Sequence, residues 1–122
     1  MKILVVDDEI DIQTLFVQRF RKEIRAGELE FAFATSGENA LEILKENESE
    51  YVLILSDINM PGMSGFQLLK HLKEKYPAIP PQVLLITAYG DQQTRQRAEE
   101  LGADGFLSKP IDFTALKERL LQ

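Results

Sequence analysis

The sequence contains no cysteine, and this absence excludes disulfide bonds, zinc–thiolate sites and catalysis by a cysteine nucleophile. It contains one histidine, His71, which lies beside Lys70 and Glu74 and is expected on a solvated helix face. Basic residues are outnumbered, with 14 Lys and Arg against 20 Asp and Glu. The resulting net charge of -6 argues against a broad surface for nucleic acid or anionic membrane, because such surfaces attract Lys and Arg.

Long hydrophobic runs are also missing. The N-terminal run Ile3–Val6 is too short for a signal peptide, and no stretch has the length and apolarity of a membrane span. The expected compartment is therefore the cytoplasm. The 122 residues, 44% hydrophobic and 28% charged, have the size and composition of one globular domain.

Short apolar runs alternate with helical patterns along the chain, and five strands and five helices are predicted. Strands that alternate with helices form a parallel sheet with helices on both faces, so we expect an α/β fold. The predicted strands are Ile3–Val6, Leu29–Ala34, Tyr51–Leu55, Val83–Ile86 and Gly105–Ser108.

The first and fourth predicted helices have opposite apolar content. In the first, apolar residues recur every four positions from Ile12 to Ile24, which is typical of a helix with one buried face. The fourth, Asp91–Leu101, has only Ala98 and Leu101 as apolar anchors, so it should be the most loosely packed element. The predicted N-caps of the other helices are Ser36, Ser64 in a capping box with Gln67, and Asp112.

Polar side chains of reactive types follow four of the five predicted strands. Ligand sites in parallel α/β sheets lie beyond the carboxyl ends of the strands. Each of these residues alone is a common turn, cap or sheet-edge residue, but their joint occurrence at four strand ends favours a shared site. They are Asp7 and Asp8, Asp57, Thr87, and Lys109.

This residue set suits phosphoryl chemistry with a hard metal ion. Three converging carboxylates repel one another unless a cation joins them, and oxygen ligands without His or Cys select Mg²⁺. Lys109 and Thr87 supply donors for phosphate oxygens. Asp57, central in the sheet, is the natural nucleophile, because a carboxylate can accept a phosphoryl group as an acyl phosphate.

The combination of Asp7-Asp8, Asp57 in DINMPGMSG, Thr87-Ala88 and Lys109-Pro110 resembles the receiver domain of two-component response regulators. The resemblance extends from Lys2 to Leu121 and implies a single receiver domain over residues 1–122. It also implies a flavodoxin-like, doubly wound sheet of five parallel strands in the order 2-1-3-4-5.

The resemblance implies a role for each acidic residue of the site. Asp57 would be the phosphoacceptor, taking the group from a histidine kinase or a phosphotransfer protein. Asp8 and Asp57 would bind Mg²⁺ through their carboxylates, Asp7 largely through water, and Asn59 through its backbone carbonyl. Lys109 would pair with the phosphoryl group.

The resemblance further implies a switch between Thr87 and Phe106. The Thr87 hydroxyl would bond to the phosphoryl group, the Phe106 ring would turn inward, and the fourth helix would shift against the fifth strand. Asn59 and Tyr89 occupy positions that tune the lifetime of the phosphoryl group, and Lys109-Pro110 matches a cis peptide bond.

Two departures from the family pattern stand out. The link from Phe20 to Phe31 is a few residues longer than usual, which should lengthen the first helix or its loop away from the site. Phe106 also lacks the hydroxyl that many relatives carry at this position as tyrosine.

The implied function is a phosphorylation-controlled signalling module that modifies only itself and is not an enzyme for other substrates. Its state would be transmitted through the face of the fourth helix, fifth strand and fifth helix to a downstream protein or an attached output domain. A homodimer is left open.

Two alternatives remain. A phosphohydrolase of the haloacid dehalogenase type also uses a strand-end Asp and Mg²⁺, but it requires a second Asp two residues on, where this chain has Asn59. A degenerate receiver that only binds proteins is disfavoured, because none of the acidic, Thr or Lys positions is missing.

Overall fold

The computed structural model describes residues 1–46, 50–77, 81–88 and 90–121, and no helix in those ranges is long and apolar enough to cross a membrane. The strands are β1 (Lys2–Val6), β2 (Glu30–Ala34), β3 (Tyr51–Asp57), β4 (Gln82–Thr87) and β5 (Gly105–Ser108). The helices are α1 (Asp11–Arg19), α2 (Arg21–Arg25), α3 (Gly37–Glu46), α4 (Gly65–Lys75), α5 (Gln92–Glu100) and α6 (Phe113–Leu120).

The five strands form one parallel sheet in the order β2-β1-β3-β4-β5. The predicted α/β class, the doubly wound architecture and the 2-1-3-4-5 order are confirmed. The strand order reverses between β1 and β3, which are hydrogen-bonded neighbours at the centre of the sheet. Ligand sites form at the carboxyl ends of strands at such a reversal.

Each face of the sheet is covered by a separate hydrophobic cluster, because successive strand residues point to opposite faces. Leu4 and Val6 of β1 lie in the cluster that includes the buried residues of α3, α4 and α5. Ile3 and Val5 lie in the other cluster, with the buried residues of α1 and α6. Both faces of the sheet are therefore covered by hydrophobic clusters, and the polar residues that could form a functional site lie at the strand ends.

The prediction of five helices was wrong in one respect, because the first helix is divided at Phe20 into α1 and α2. The backbone there leaves the helical region, with φ -109° and ψ 23°, while Phe20 itself is fully buried. A strict four-residue repeat drifts by about 40° per step around a straight helix. The local distortion keeps Phe20 in contact with the core. The longer link predicted from Phe20 to Phe31 forms α2 and the turn at Gly27, where φ is +75°.

The predicted caps are confirmed. The Ser36 hydroxyl accepts a hydrogen bond from the Asn39 N–H at 3.0 Å. Ser64 and Gln67 form the reciprocal capping box of α4. Asp112 accepts from the Ala115 N–H at 3.0 Å. The low apolar content of α5 has the predicted result, since Ala98 is its one buried residue.

Candidate functional site

The site begins where β1 and β3 end side by side. The Asp7 N–H extends the sheet by donating to the Ala34 carbonyl at 3.0 Å, and Asp57 is the last residue of β3. The predicted convergence of the three acidic side chains is confirmed. One carboxylate oxygen from each of Asp7, Asp8 and Asp57 lies within 4.8 Å of the others. In the described part of the chain this is the one such group of three or more acidic or histidine side chains.

The three carboxylates differ in exposure. Asp7 and Asp57 are buried, with 4% and 5% of their surface exposed, whereas Asp8 is open to solvent. The Asp7 Oδ1 atom accepts a hydrogen bond from the Glu9 N–H at 2.9 Å, which fixes the orientation of its carboxylate. A hydrated ion can therefore approach the cluster from the side of Asp8.

Lys109 reaches this cluster from the end of β5. Its backbone N–H donates to the Thr87 carbonyl at 2.8 Å, and the following bond to Pro110 is cis, as predicted. Its Nζ atom lies 3.1 Å from Asp57 Oδ2 and 3.4 Å from Asp7 Oδ2. A single ammonium group thus bridges the two buried carboxylates.

The environment shifts the pKa of both Asp57 and Lys109. Burial raises the pKa of Asp57 above its usual 3.8, and the Asp7 charge adds to this increase, while the hydrogen bond and charge of Lys109 oppose it. Burial by itself lowers the pKa of Lys109. The hydrogen bond and charge of Asp57, together with those of Asp7, outweigh that effect and raise its pKa above the usual 10.5.

The charges and donor atoms of the cluster fit a divalent metal ion. Three carboxylates and one ammonium group leave two negative charges uncompensated, and two of the carboxylates are buried. One divalent cation would balance these charges. All available donors are oxygens, which are the ligands that Mg²⁺ prefers.

Thr87 and Asn59 are linked in a way that the sequence did not reveal. Thr87 ends β4 and is fully buried, and its Oγ1 atom accepts a hydrogen bond from the Asn59 side-chain amide at 3.2 Å. The Asn59 backbone N–H lies 3.4 Å from Asp57 Oδ1. The contact depends on the conformation of the loop after β3, for which strand and helix periodicity carry no signal.

Phe106 lies on the neighbouring strand β5 and is half-buried. The Cζ atom of Arg95, from α5, is 5.3 Å from the centre of the Phe106 ring. A Cβ atom at Gly90 would lie 3.8 Å from Phe106 Cε1 and 2.6 Å from Ser108 Oγ, so glycine leaves room for both side chains. Tyr89, the other predicted lifetime residue, lies outside the described residues.

The chain is similar to known signalling proteins over nearly its whole length. The family model of the response regulator receiver domain matches residues 3–121. The transcriptional regulatory protein ZraR of Escherichia coli K12 is 39% identical over 118 residues, which are 97% of this chain and 25% of ZraR. The sporulation initiation phosphotransferase F of Bacillus subtilis is 36% identical over 117 residues, 96% of this chain and 88% of that protein.

Among solved structures, a chain in the CheX–CheY–BeF3–Mg²⁺ complex from Borrelia burgdorferi superposes with a TM-score of 0.85 at 26% identity. The match covers 98% of this chain and 86% of that one. The chain thus spans about a quarter of ZraR but most of the phosphotransferase and of the superposed structure.

Proposed function

The chain belongs to the response regulator receiver domain family, and from that premise we propose that Asp57 accepts the phosphoryl group that controls its signalling state. Members of this family are phosphorylation-controlled signalling modules of two-component systems, and this chain is one of them. The observation that carries the proposal is the buried Asp57 carboxylate, held within 4.8 Å of two others and 3.1 Å from the Lys109 ammonium group. We assign residues 1–122 to one receiver domain.

The chemistry is an in-line transfer to Asp57. An Asp57 carboxylate oxygen attacks the phosphorus atom carried by the donor's histidine. The bond between that phosphorus and the histidine nitrogen breaks, and an acyl phosphate forms on Asp57. Bound Mg²⁺ would neutralise charge on the transferring group. Lys109, which neutralises Asp57 before the reaction, pairs with a phosphoryl oxygen afterwards. Water then cleaves the acyl phosphate, so the domain acts on itself and is no enzyme for other substrates.

We assign the metal ligands from the acidic cluster and from the family resemblance. Asp8, exposed at the open side of the cluster, and Asp57 would bind Mg²⁺ through carboxylate oxygens, and the resemblance adds the Asn59 backbone carbonyl as a third ligand. Asp7 would act largely through a bound water, because its Oδ1 atom already accepts a hydrogen bond from the Glu9 N–H and its Oδ2 atom lies 3.4 Å from Lys109 Nζ.

The switch proceeds through Thr87 and Phe106. A phosphoryl group on Asp57 attracts the Thr87 hydroxyl, which donates to a phosphoryl oxygen and is displaced from the position where its oxygen accepts from the Asn59 side-chain amide. The displacement makes room for the Phe106 ring to turn inward, away from Arg95. Because α5 buries only Ala98, it can shift against β5 at low cost. Asn59 and Tyr89 set how long the phosphoryl group survives.

The donor is a histidine kinase or a phosphotransfer protein that docks beside α1. A groove of about 510 Å³ between α1 and the connection from β5 to α6 includes Lys109, so an occupant would lie next to the phosphoacceptor. Its apolar lining suits a helix with one hydrophobic face. The lining residues include Ile12, Leu15, Ile111 and Phe113.

The output passes through the face formed by α5, β5 and α6. We propose that this face binds a downstream protein, an attached output domain or a second copy of the chain in the phosphorylated state. Direct contact of this domain with nucleic acid or membrane is not expected at a net charge of -6. Response regulators are typically cytoplasmic, and we propose the same location here.

Incubation with acetyl phosphate and Mg²⁺ tests the phosphoacceptor. The wild-type chain should gain one phosphoryl group, stable in acid and labile in base, as measured by intact-protein mass spectrometry. Asp57→Asn should gain none, whereas the control Asp11→Asn, which removes an exposed acid in the first turn of α1, should behave as wild type. A degenerate receiver would give no adduct in any variant, and labelling of Asp57→Asn would contradict the assignment.

A further inference from the structure

The loop between β3 and α4, residues 58–64, determines where Asn59 meets the site. Asn59 contacts both Asp57 and Thr87, once through its backbone and once through its side chain. A displacement of the loop would move both contacts and the Asn59 backbone carbonyl together. The contacts that hold the loop in place are therefore relevant to the site even where they lie outside it.

The far end of the loop is held by Glu38, in the first turn of α3. The Glu38 Oε1 atom accepts a hydrogen bond from the Met63 backbone N–H at 3.0 Å. Gly62 adopts a φ of +75°, which favours glycine. A Cβ atom at Gly62 would lie 3.0 Å from Glu38 Oε2, so the loop backbone passes directly along the carboxylate.

A second contact joins the same two segments. A Cβ atom at Gly37 would lie 2.8 to 2.9 Å from three side-chain atoms of Met63, so the methionine packs against the bare backbone of the first turn of α3. The hydrogen bond from the Met63 N–H and the packing of its side chain thus act on one residue. This end of the loop is fixed to α3.

We propose that Glu38 is a positioning residue of the site: it fixes loop 58–64 so that Asn59 contacts Asp57 and presents its backbone carbonyl to Mg²⁺. The anchoring of the loop follows from the contacts of Glu38. The effect of Glu38 on phosphoryl transfer, through this loop, rests on the proposed function.

Three variants separate this role from simpler effects of the charge. Glu38→Ala removes the acceptor of the Met63 N–H. Glu38→Gln keeps an acceptor oxygen but loses the negative charge that favours the start of a helix. Glu42→Ala removes an exposed carboxylate from the next turn of α3 and serves as the control. Circular dichroism is used to check that all three variants are folded.

Two readouts need no phosphorylation. The first is hydrogen exchange of the Met63 amide, which should be faster in Glu38→Ala than in Glu38→Gln or Glu42→Ala. The second is Mg²⁺ affinity from amide chemical shifts of residues 57–59. Glu38→Ala should weaken binding about threefold to tenfold. This is less than the roughly 10- to 100-fold loss on removing a group bonded directly to a metal ligand, because Glu38 acts through the loop.

The outcomes distinguish this inference from the proposed function. The inference is overturned if Glu38→Ala leaves the hydrogen exchange of the Met63 amide and the Mg²⁺ affinity unchanged. It is also overturned if Glu38→Gln binds Mg²⁺ as weakly as Glu38→Ala, because the effect would then come from the charge alone. If wild type binds Mg²⁺ but takes no phosphoryl group from acetyl phosphate, the proposed function fails and the comparison of Mg²⁺ affinities still decides the role of Glu38.

Discussion

Asp57 and Asp8 carry the same side chain in the same cluster, yet their surroundings prepare them for different tasks. Asp8 is exposed, so a hydrated ion can reach it from solvent, whereas Asp57 is buried and its pKa is raised. Burial and the nearby Asp7 charge disfavour the ionised form of the Asp57 carboxyl, while the Lys109 ammonium group and, to a smaller extent, the Asn59 N–H favour it. Charge neutralisation by a bound cation is therefore favourable at this position.

The raised pKa of Asp57 predicts how stability depends on pH in metal-free protein. A carboxyl whose pKa is higher in the folded than in the unfolded state stabilises the fold below the unfolded value. That contribution is lost as the pH rises through the folded pKa, so the loss begins near 3.8 and continues above it. Urea unfolding in EDTA should show the free energy of unfolding of Asp57→Asn, relative to wild type, increasing with pH over this range.

The same experiment in saturating Mg²⁺ provides the control. The ion binds the ionised carboxylate, so the relative stability of Asp57→Asn should now decrease as the pH rises. A pH dependence that is identical for wild type and Asp57→Asn in EDTA would contradict the raised pKa.

Strand-end spacing identified the residues at the carboxyl edge of the sheet, and the family resemblance added Asn59 in the loop after β3. Neither revealed the contacts that hold this loop in place. Asp57, Thr87 and Lys109 were predictable because the carboxyl ends of parallel strands share one edge of the sheet. The hydrogen bond that the Met63 N–H donates to the Glu38 carboxylate was not predictable, because the helix dipole alone explains a glutamate in the first turn of a helix. The group that Glu38 contacts is a backbone N–H, which every residue except proline carries, so the pattern of side chains gives no indication of this contact.

At the scale of elements, α4 and α5 lie on the same face of the sheet but are held very differently. Four residues of α4 are buried, including Leu68, Leu69 and Leu72, while α5 buries Ala98 alone. The N-cap of α5 at Asp91 fixes only its first turn, through a hydrogen bond from the Thr94 N–H at 2.7 Å. Packing therefore stabilises α4 far more than α5.

This difference predicts separate opening of the two helices in native-state hydrogen exchange. Amides of α5 should exchange through local opening at about 1–3 kcal/mol, whereas central amides of α4 should approach the global stability, roughly 5–15 kcal/mol for a domain. The measurement is exchange under weak denaturant, followed residue by residue by NMR. Equal protection of the two helices would contradict the idea that α5 is the element that moves.

Element types were predictable, whereas some of their ends were not. Apolar periodicity ended the third strand at Leu55, but β3 continues through Ser56 and Asp57 because β4 pairs with both. Ser56 is fully buried despite its hydroxyl, which donates to the Asp57 carbonyl at 3.0 Å. When a polar side chain in a strand forms its hydrogen bond with the backbone of the next residue, the sequence alone predicts a loop at that position.

At the scale of the whole molecule, the site exists only because the sheet order places β1 beside β3. Local spacing predicted parallel strands but not their order, since periodicity within a strand says nothing about its neighbour. The order came from the family resemblance, and the structure confirms it. Asp7 and Asp57 are fifty residues apart in the chain, and only the complete fold makes them neighbours.

A site assembled by the fold should in turn stabilise the fold when it binds Mg²⁺, because the unfolded chain holds no such cluster. At a Mg²⁺ concentration one hundred times the dissociation constant, the stabilisation is about 2.7 kcal/mol. For a domain of this size this corresponds to a rise in Tm of roughly 10 °C. The double variant Asp8→Asn/Asp57→Asn should lose most of this rise in a thermal melt followed by circular dichroism. Glu100→Gln, which removes an exposed charge at the end of α5, should keep it. An equal rise for wild type in NaCl of matched ionic strength would show screening of the net charge of -6, and the site would then not be the origin of the effect.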